Sequence, residues 1–302
     1  MKGSRIAGHA RGAVLALLLL WAGALGEAAV LAQGQGGGGA CPEGYRITGR
    51  QASGQSYDPN QANRTVLQIT LQAADSNIPS RCNSAPVTIT PQSGTAFVFS
   101  NGSHELGFVQ LNSNLVSQAN VTRFVLAGNA RSRLVRGEAV TIDLFELSAG
   151  QFPAAGEYRG TVLVQVGNGL PQAVLFAITV RPAIRFLAEQ GAMSRDLSFG
   201  EVSAGSVIRT NVFYQSNAAV SITIQSQNRG RLVHTVQGPL RAIPYRLTYD
   251  GVPVNLSAGA QINRPFRGLL ALREELVLEV APGTDRFAGD YRDVLTLFYT
   301  AY

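Results

Sequence analysis

The chain has 302 residues, a formal net charge of +6, two cysteines and three histidines, and 45% of its residues are hydrophobic. The charge is mild and the arginines are scattered singly, with no basic block of the kind that tracks a phosphate backbone, which argues against nucleic-acid binding. A cysteine-based metal centre lacks companions, since His104 and His234 are both far in sequence from Cys41 and Cys82.

The N-terminus carries Lys2, Arg5 and Arg11, then an apolar run from Ala13 to Leu25, then Val30 and Ala32. That order predicts a secretory signal peptide over residues 1–32, cut after Ala32. The run is thirteen residues long, too short for a helix to cross about 30 Å of hydrocarbon, and no later run is longer. Three cations and one anion leave with the peptide, so the charge falls from +6 to +4. The mature protein is expected to be exported, soluble or held at the surface. Residues 33–40 are mostly glycine, a flexible leader with nothing to bury. Cys41 and Cys82 would then mature in an oxidising compartment and are expected to form a disulfide. Closing a loop of roughly forty residues is worth about 3–4 kcal/mol in the chain-entropy picture.

From Tyr45 onward short apolar runs with period two are separated by Gly, Asn, Ser and Pro clusters. They include 66–71, 86–90, 96–99, 106–111, 121–126, 139–145 and 173–180, and they predict strands of an all-β sandwich or barrel. Only 183–193 hints at helix, and Gly191 weakens it. The length beyond the signal peptide suits two domains, expected over 41–182 and 183–302.

An internal repeat supports that division. Ala155-Gly156-Glu157-Tyr158-Arg159 and Ala288-Gly289-Asp290-Tyr291-Arg292 are offset by 133 residues, and each opens a strand whose alternate positions are apolar. The first strand presents Tyr158, Val162, Val164 and Val166. The second presents Tyr291, Leu295, Leu297 and Tyr299, the expected wall of a groove. After the first copy, Gly167-Asn168-Gly169 turns the chain into a further strand, 173–180, in a hairpin pattern. After the second only Thr300, Ala301 and Tyr302 follow. If the two copies share a topology, the second sandwich is one strand short, and its open edge would need a strand from elsewhere.

Further motifs carry a family resemblance. Leu197-Ser198-Phe199-Gly200-Glu201, Ser216-Asn217-Ala218-Ala219, Gly230-Arg231-Leu232, Ile243-Pro244-Tyr245-Arg246-Leu247 and the ending Ala288-Gly289-Asp290-Tyr291-Arg292-Asp293 follow one another in order. This series resembles the spore coat protein U domain family, found in subunits of archaic chaperone-usher pili. The resemblance covers nearly all of residues 186–302 and, more loosely, Tyr57-Asp58-Pro59, Gly150-Gln151 and the first Ala-Gly repeat. It implies two tandem immunoglobulin-like sandwiches, the C-terminal one incomplete. It also implies three partners: a periplasmic pilus chaperone, an outer-membrane usher and the donor strand of an adjacent subunit. The glycine leader lacks alternating apolar residues and is a poor donor, so the chain looks like a tip adhesin or minor subunit that accepts a strand and gives none.

Enzyme readings find little footing. His104 lies in a polar turn, Asn101-Gly102-Ser103-His104-Glu105, without a Gly-x-Ser-x-Gly elbow, a His-Glu-x-x-His motif or a phosphate loop. His234 reads as a partly exposed side chain, and Glu274-Glu275 as a solvated loop or edge. No cofactor is expected. A membrane β-barrel would need longer strands with an unbroken lipid-facing set, and it leaves the repeat unexplained. Contacts to a surface or receptor ligand are expected on loops, with Tyr57, Leu115, Val116, Phe152 and Pro153 as candidates. A secreted or coat-associated structural protein and a secreted carbohydrate-binding module are the alternatives.

Overall fold

The computed structural model describes residues 47–51, 56–61, 64–73, 85–187, 195–282 and 287–302. All fall in one compact unit, Gly39–Tyr302. The signal peptide, the glycine leader, Cys41 and Cys82 lie outside the described residues.

The N-terminal half runs β1 (Ile47–Gln51), β2 (Ser56–Tyr57), β3 (Thr65–Ala73), β4 (Val87–Pro91), β5 (Ser100–Asn101), β6 (His104–Glu105), β7 (Val109–Gln110), β8 (Val116–Asn120), β9 (Arg123–Leu126), α1 (Gly128–Val135), β10 (Val140–Leu147), β11 (Gly156–Val166) and β12 (Gln172–Val180). One sheet has the order β1-β3-β10-β7 and the other β2-β12-β11-β4-β9-β8, with the β5–β6 hairpin attached to β11. The alternation of β3 explains the layering. Leu67, Ile69 and Leu71 are buried, while Gln68 and Thr70 face outward and bond Asp143 and Thr141 across β10. A bulge between Asp143 and Phe145 turns both Leu144 and Phe145 inward. Phe145 then meets Phe97, Phe99, Phe108 and Phe176 edge-on, at centroid distances of 4.9 to 6.1 Å.

The C-terminal half runs β13 (Ile184–Phe186), β14 (Val207–Ser216), β15 (Val220–Ser226), β16 (Arg231–His234), β17 (Gly238–Tyr249), β18 (Val252–Val254), β19 (Ala260–Arg264), β20 (Leu272–Val280), β21 (Tyr291–Arg292) and β22 (Leu295–Ala301). One sheet has the order β13-β14-β20-β17-β16-β21, with β18 on β17, and a second has the order β19-β15-β22. The two halves have separate hydrophobic cores. Strands make up just over half of the described residues and the one helix only a few per cent, and the predicted all-β class holds.

The junction between the cores is polar and closed. Asn217, 1% exposed, donates from Nδ2 to the carbonyls of Pro153 and Arg181 and accepts at Oδ1 from the Ala183 amide. Its own carbonyl accepts from the Ala155 amide. A buried amide with every group paired is costly to disturb.

The repeat is structural as well as textual. Tyr158 Oη donates to the Ala154 carbonyl at 2.9 Å and Tyr291 Oη to the Phe287 carbonyl at 3.0 Å, the tyrosine corner that opens the sixth strand of immunoglobulin-like sandwiches. Arg159 pairs with Ser100, and Arg292 with Val233, so this register also repeats at the same offset.

Four expectations need correction. Residues 128–135 form a helix although only Ala130 and Leu134 are apolar and buried, a pair one turn apart that is too sparse to stand out in sequence. Residues 184–186 form strand β13, because Ile184 and Phe186 pair along β14, and the rest of the expected helix, 188–193, lies outside the described residues. His234 is 5% exposed, not a surface side chain. Glu274 is 3% exposed, carried inward by β20 and held by Arg264.

Candidate functional site

Strand β22 is the candidate site. It pairs with β15 from Leu295↔Ser226 to Ala301↔Val220, and among the described residues no strand pairs with its other edge. Its counterpart β11 lies between two neighbours, β4 on one side and β12 on the other. The equivalence is topological: β9-β4-β11-β12 in the first half corresponds to β19-β15-β22 in the second, with no fourth strand there among the described residues.

Burial shows the physical cost of that difference. On β11, Tyr158, Val162, Val164 and Val166 are all at most 5% exposed. The matching Tyr291, Leu295, Leu297 and Tyr299 are only partly buried. Among the described residues, twelve partly buried apolar residues pack around the second core and two around the first, so the second core is the less covered of the two. In the first core β12 also touches β1, closely enough that a Cβ on Gly49 would lie 2.5 Å from Val174. In the second, β13 and β22 face each other across the corresponding gap. Phe186 on β13, 45% exposed, reaches Tyr299 edge-on at 5.1 Å. The groove between these strands offers unpaired backbone groups on one wall and an apolar floor, which is what an added β-strand binds.

The end of the groove toward the first core is built from tyrosines around a buried ion pair. Glu274 receives Arg264 Nε at 2.9 Å and the Tyr249 hydroxyl, and Tyr249 Oη lies 2.9 Å from Tyr299 Oη. Burial pushes Tyr299 up to about 12. Burial, then the neighbouring Tyr299 and Glu274, raises Tyr249 further. The arrangement ties β19 and β22 to β17 and β20, and so holds the two sheets together beside the open edge.

At the other end Asp293 sits between β21 and β22. Its Oδ1 accepts from the Asn228 and Val294 amides at 2.9 and 2.8 Å, and its Oδ2 from Ser226 Oγ and Tyr245 Oη, both at 2.6 Å. All four acceptor positions of the carboxylate are used. The sequence shows Asp293 only as the last residue of the Ala288–Asp293 motif and gives it no role; at the same place in the first copy of the repeat stands Gly160.

The expected groove wall of Tyr291, Leu295, Leu297 and Tyr299 is thus brought onto one face. The expected ligand loops fare differently. Tyr57 and Val116 are fully buried in the first core, and Tyr57 Oη is spent on the carbonyls of Ser148 and Gln151. Pro153 is buried with its carbonyl on Asn217, Phe152 lies under the Arg185 guanidinium at 4.5 Å, and Leu115 packs against the core. The first three present no surface to a ligand, because their apolar bodies complete packing that the loop itself needs.

No protein-family model matches the chain, and no curated protein does. Among solved structures it is similar to a chain of the CsuC–CsuE chaperone–tip adhesion subunit pre-assembly complex from archaic chaperone-usher Csu pili of Acinetobacter baumannii, with 15% identity, a TM-score of 0.42, and coverage of 76% of this chain and 88% of that one. It is similar to CfaE, the adhesive subunit of CFA/I fimbria of enterotoxigenic Escherichia coli, with 12% identity, a TM-score of 0.31, and coverage of 85% and 87%. It is also similar to self-complemented MyfA, the major subunit of Myf fimbriae from Yersinia enterocolitica, with 16% identity, a TM-score of 0.31, and coverage of 45% and 98%.

Proposed function

We propose that the chain is a non-enzymatic surface adhesin or minor subunit at the tip of an archaic chaperone-usher pilus. Residues 41–182 form the outward domain, and residues 183–302 join the fibre by donor-strand complementation. A periplasmic chaperone fills the groove beside β22 first; after passage through an outer-membrane usher, the extension of an adjacent subunit replaces it. The observation that carries this reading is the open edge of β22, with its inward side chains half-covered where the matching strand β11 is sealed by β12. Unpaired edge groups and an exposed apolar floor favour association over a free monomer.

The test is co-expression of residues 33–302 with a periplasmic pilus chaperone from the same source organism. A 1:1 complex by size-exclusion chromatography with light scattering, and aggregation without the chaperone, is the expected result. A stable monomer that ignores the chaperone would contradict it.

A further inference from the structure

The outer face of the larger sheet in the second core carries a separate groove of about 570 Å³, and no residue of β22 lines it. We propose that this groove binds an acidic saccharide through the carboxylate or sulfate groups of its sugar units. A strand added beside β22 would leave it open, so the inference does not depend on the acceptor reading.

Three arginines that look scattered in the sequence meet here. On β17 Tyr245, Leu247 and Tyr249 are buried, so Arg246 and Thr248 face outward by alternation. Arg231 on β16 stands opposite Pro244, which puts it diagonal to Arg246, roughly 7–8 Å away along the sheet. Arg229 adds the third guanidinium from the turn before β16. Its φ is +56°, a region that a long side chain seldom occupies. Gly230 follows at φ +76°, and a Cβ there would lie 3.1 Å from Leu256 Cβ. The turn and the loop after β18 therefore close tightly on each other and form the end wall.

Among the described residues none of these three guanidinium groups has an ion pair or a hydrogen bond. Elsewhere on the surface Arg133, Arg136, Arg159 and Arg209 each pair with a glutamate. The groove's one carboxylate, Glu279, is the cross-strand partner of Arg246 but makes no ion pair with it. Three cations and one anion leave a surplus of two positive charges in a concave site, where field lines concentrate. A guanidinium fork suits an oxyanion with two oxygens to offer. Neutral polar groups stand between the cations: the Thr248 hydroxyl, and the Asn255 amide, whose Oδ1 already accepts from the Ser257 amide and hydroxyl at 3.1 and 2.7 Å and whose Nδ2 remains to donate. Cations interspersed with hydroxyl and amide groups match a sugar chain that carries anions at intervals. A flat bilayer surface could not enter a concave groove of this size.

Titration calorimetry on residues 33–302, in the chaperone complex where that is the soluble form, tests the site with five probes. They are a hexasaccharide of uronic acid units, a sulfated hexasaccharide, neutral maltohexaose, inorganic phosphate and phosphatidylglycerol vesicles. At least one acidic hexasaccharide is expected to bind and maltohexaose is not. Arg231→Gln and Arg246→Gln should each weaken that binding about tenfold, the loss of one charge-assisted contact, and Glu279→Gln should tighten it. Arg123→Gln, which removes an exposed arginine on β9 in the first half, should leave it unchanged. Binding of neither acidic hexasaccharide would overturn the inference, as would equal weakening by Arg123→Gln. Binding of phosphate or vesicles alone would also overturn it, by assigning the groove to a simple ion or a lipid headgroup. Should an arginine variant not fold, the opposite effect of Glu279→Gln still decides.

Discussion

Gly289 has a φ of +142°, and a Cβ there would lie 2.1 Å from His234 Nε2. The imidazole has no freedom to retreat: Nδ1 accepts from the Val236 and Gln237 amides at 3.1 Å each, so Nε2 carries the proton and donates to the Ala288 carbonyl at 3.2 Å. In the first core Gly156 has a φ of +130°, with Asn101 Nδ2 2.4 Å from the corresponding Cβ and 3.4 Å from the Ala155 carbonyl. Asn101 and His234 stand at the same offset of 133 as the two Ala-Gly pairs. Two different side chains therefore do one job, bonding the carbonyl before a glycine that must stay bare. Gly289→Ala should cost about 3 kcal/mol, from the backbone strain and the overpacking together. Gly156→Ala should cost less, about 1–2 kcal/mol, because a short amide can shift. Denaturant titration of each variant reads the difference, and equal costs would count against the locked imidazole. The glycines were legible in the sequence as a repeat. Their cause was not, because asparagine and histidine share no pattern and meet the glycines only through strand pairing.

At the scale of strands, the contrast between β11 and β22 is the main finding, and its outline could be read from alternation and the turn Gly167-Asn168-Gly169. Periodicity also located β3, β4, β10 and β12 to within a residue or two. It failed at the two-residue strands β5 and β6, since so short a segment has no period, it placed β7 only within the longer run 106–111, and it missed α1 for want of a third apolar residue. Nor could it show that Glu274 is buried, because the Arg264 that neutralises it lies on another strand. The tyrosine cluster around that ion pair predicts a pH dependence. An unfolded tyrosine ionises near pH 10, while Tyr299 holds its proton to about 12, so between these values the native state binds more protons than the unfolded one. Stability is fully present below about pH 10 and falls as pH rises toward 12. Urea unfolding at stepped alkaline pH should show that decline, and Tyr299→Phe should flatten it. An unchanged slope in the variant would place the alkaline sensitivity elsewhere.

For the molecule as a whole, the two cores meet through Asn217 and, among the described residues, differ in closure: the first is sealed by its own chain and the second is open along one edge. Hydrogen exchange resolved by residue tests this most directly, with β22 compared against β11 in the free protein and in its complex with the chaperone. Fast exchange of alternate β22 amides when free, slow exchange throughout β11, and protection of β22 on binding are predicted. Amides of β22 as protected as those of β11 in the free monomer would contradict the account, since an edge already satisfied has no place for a partner strand.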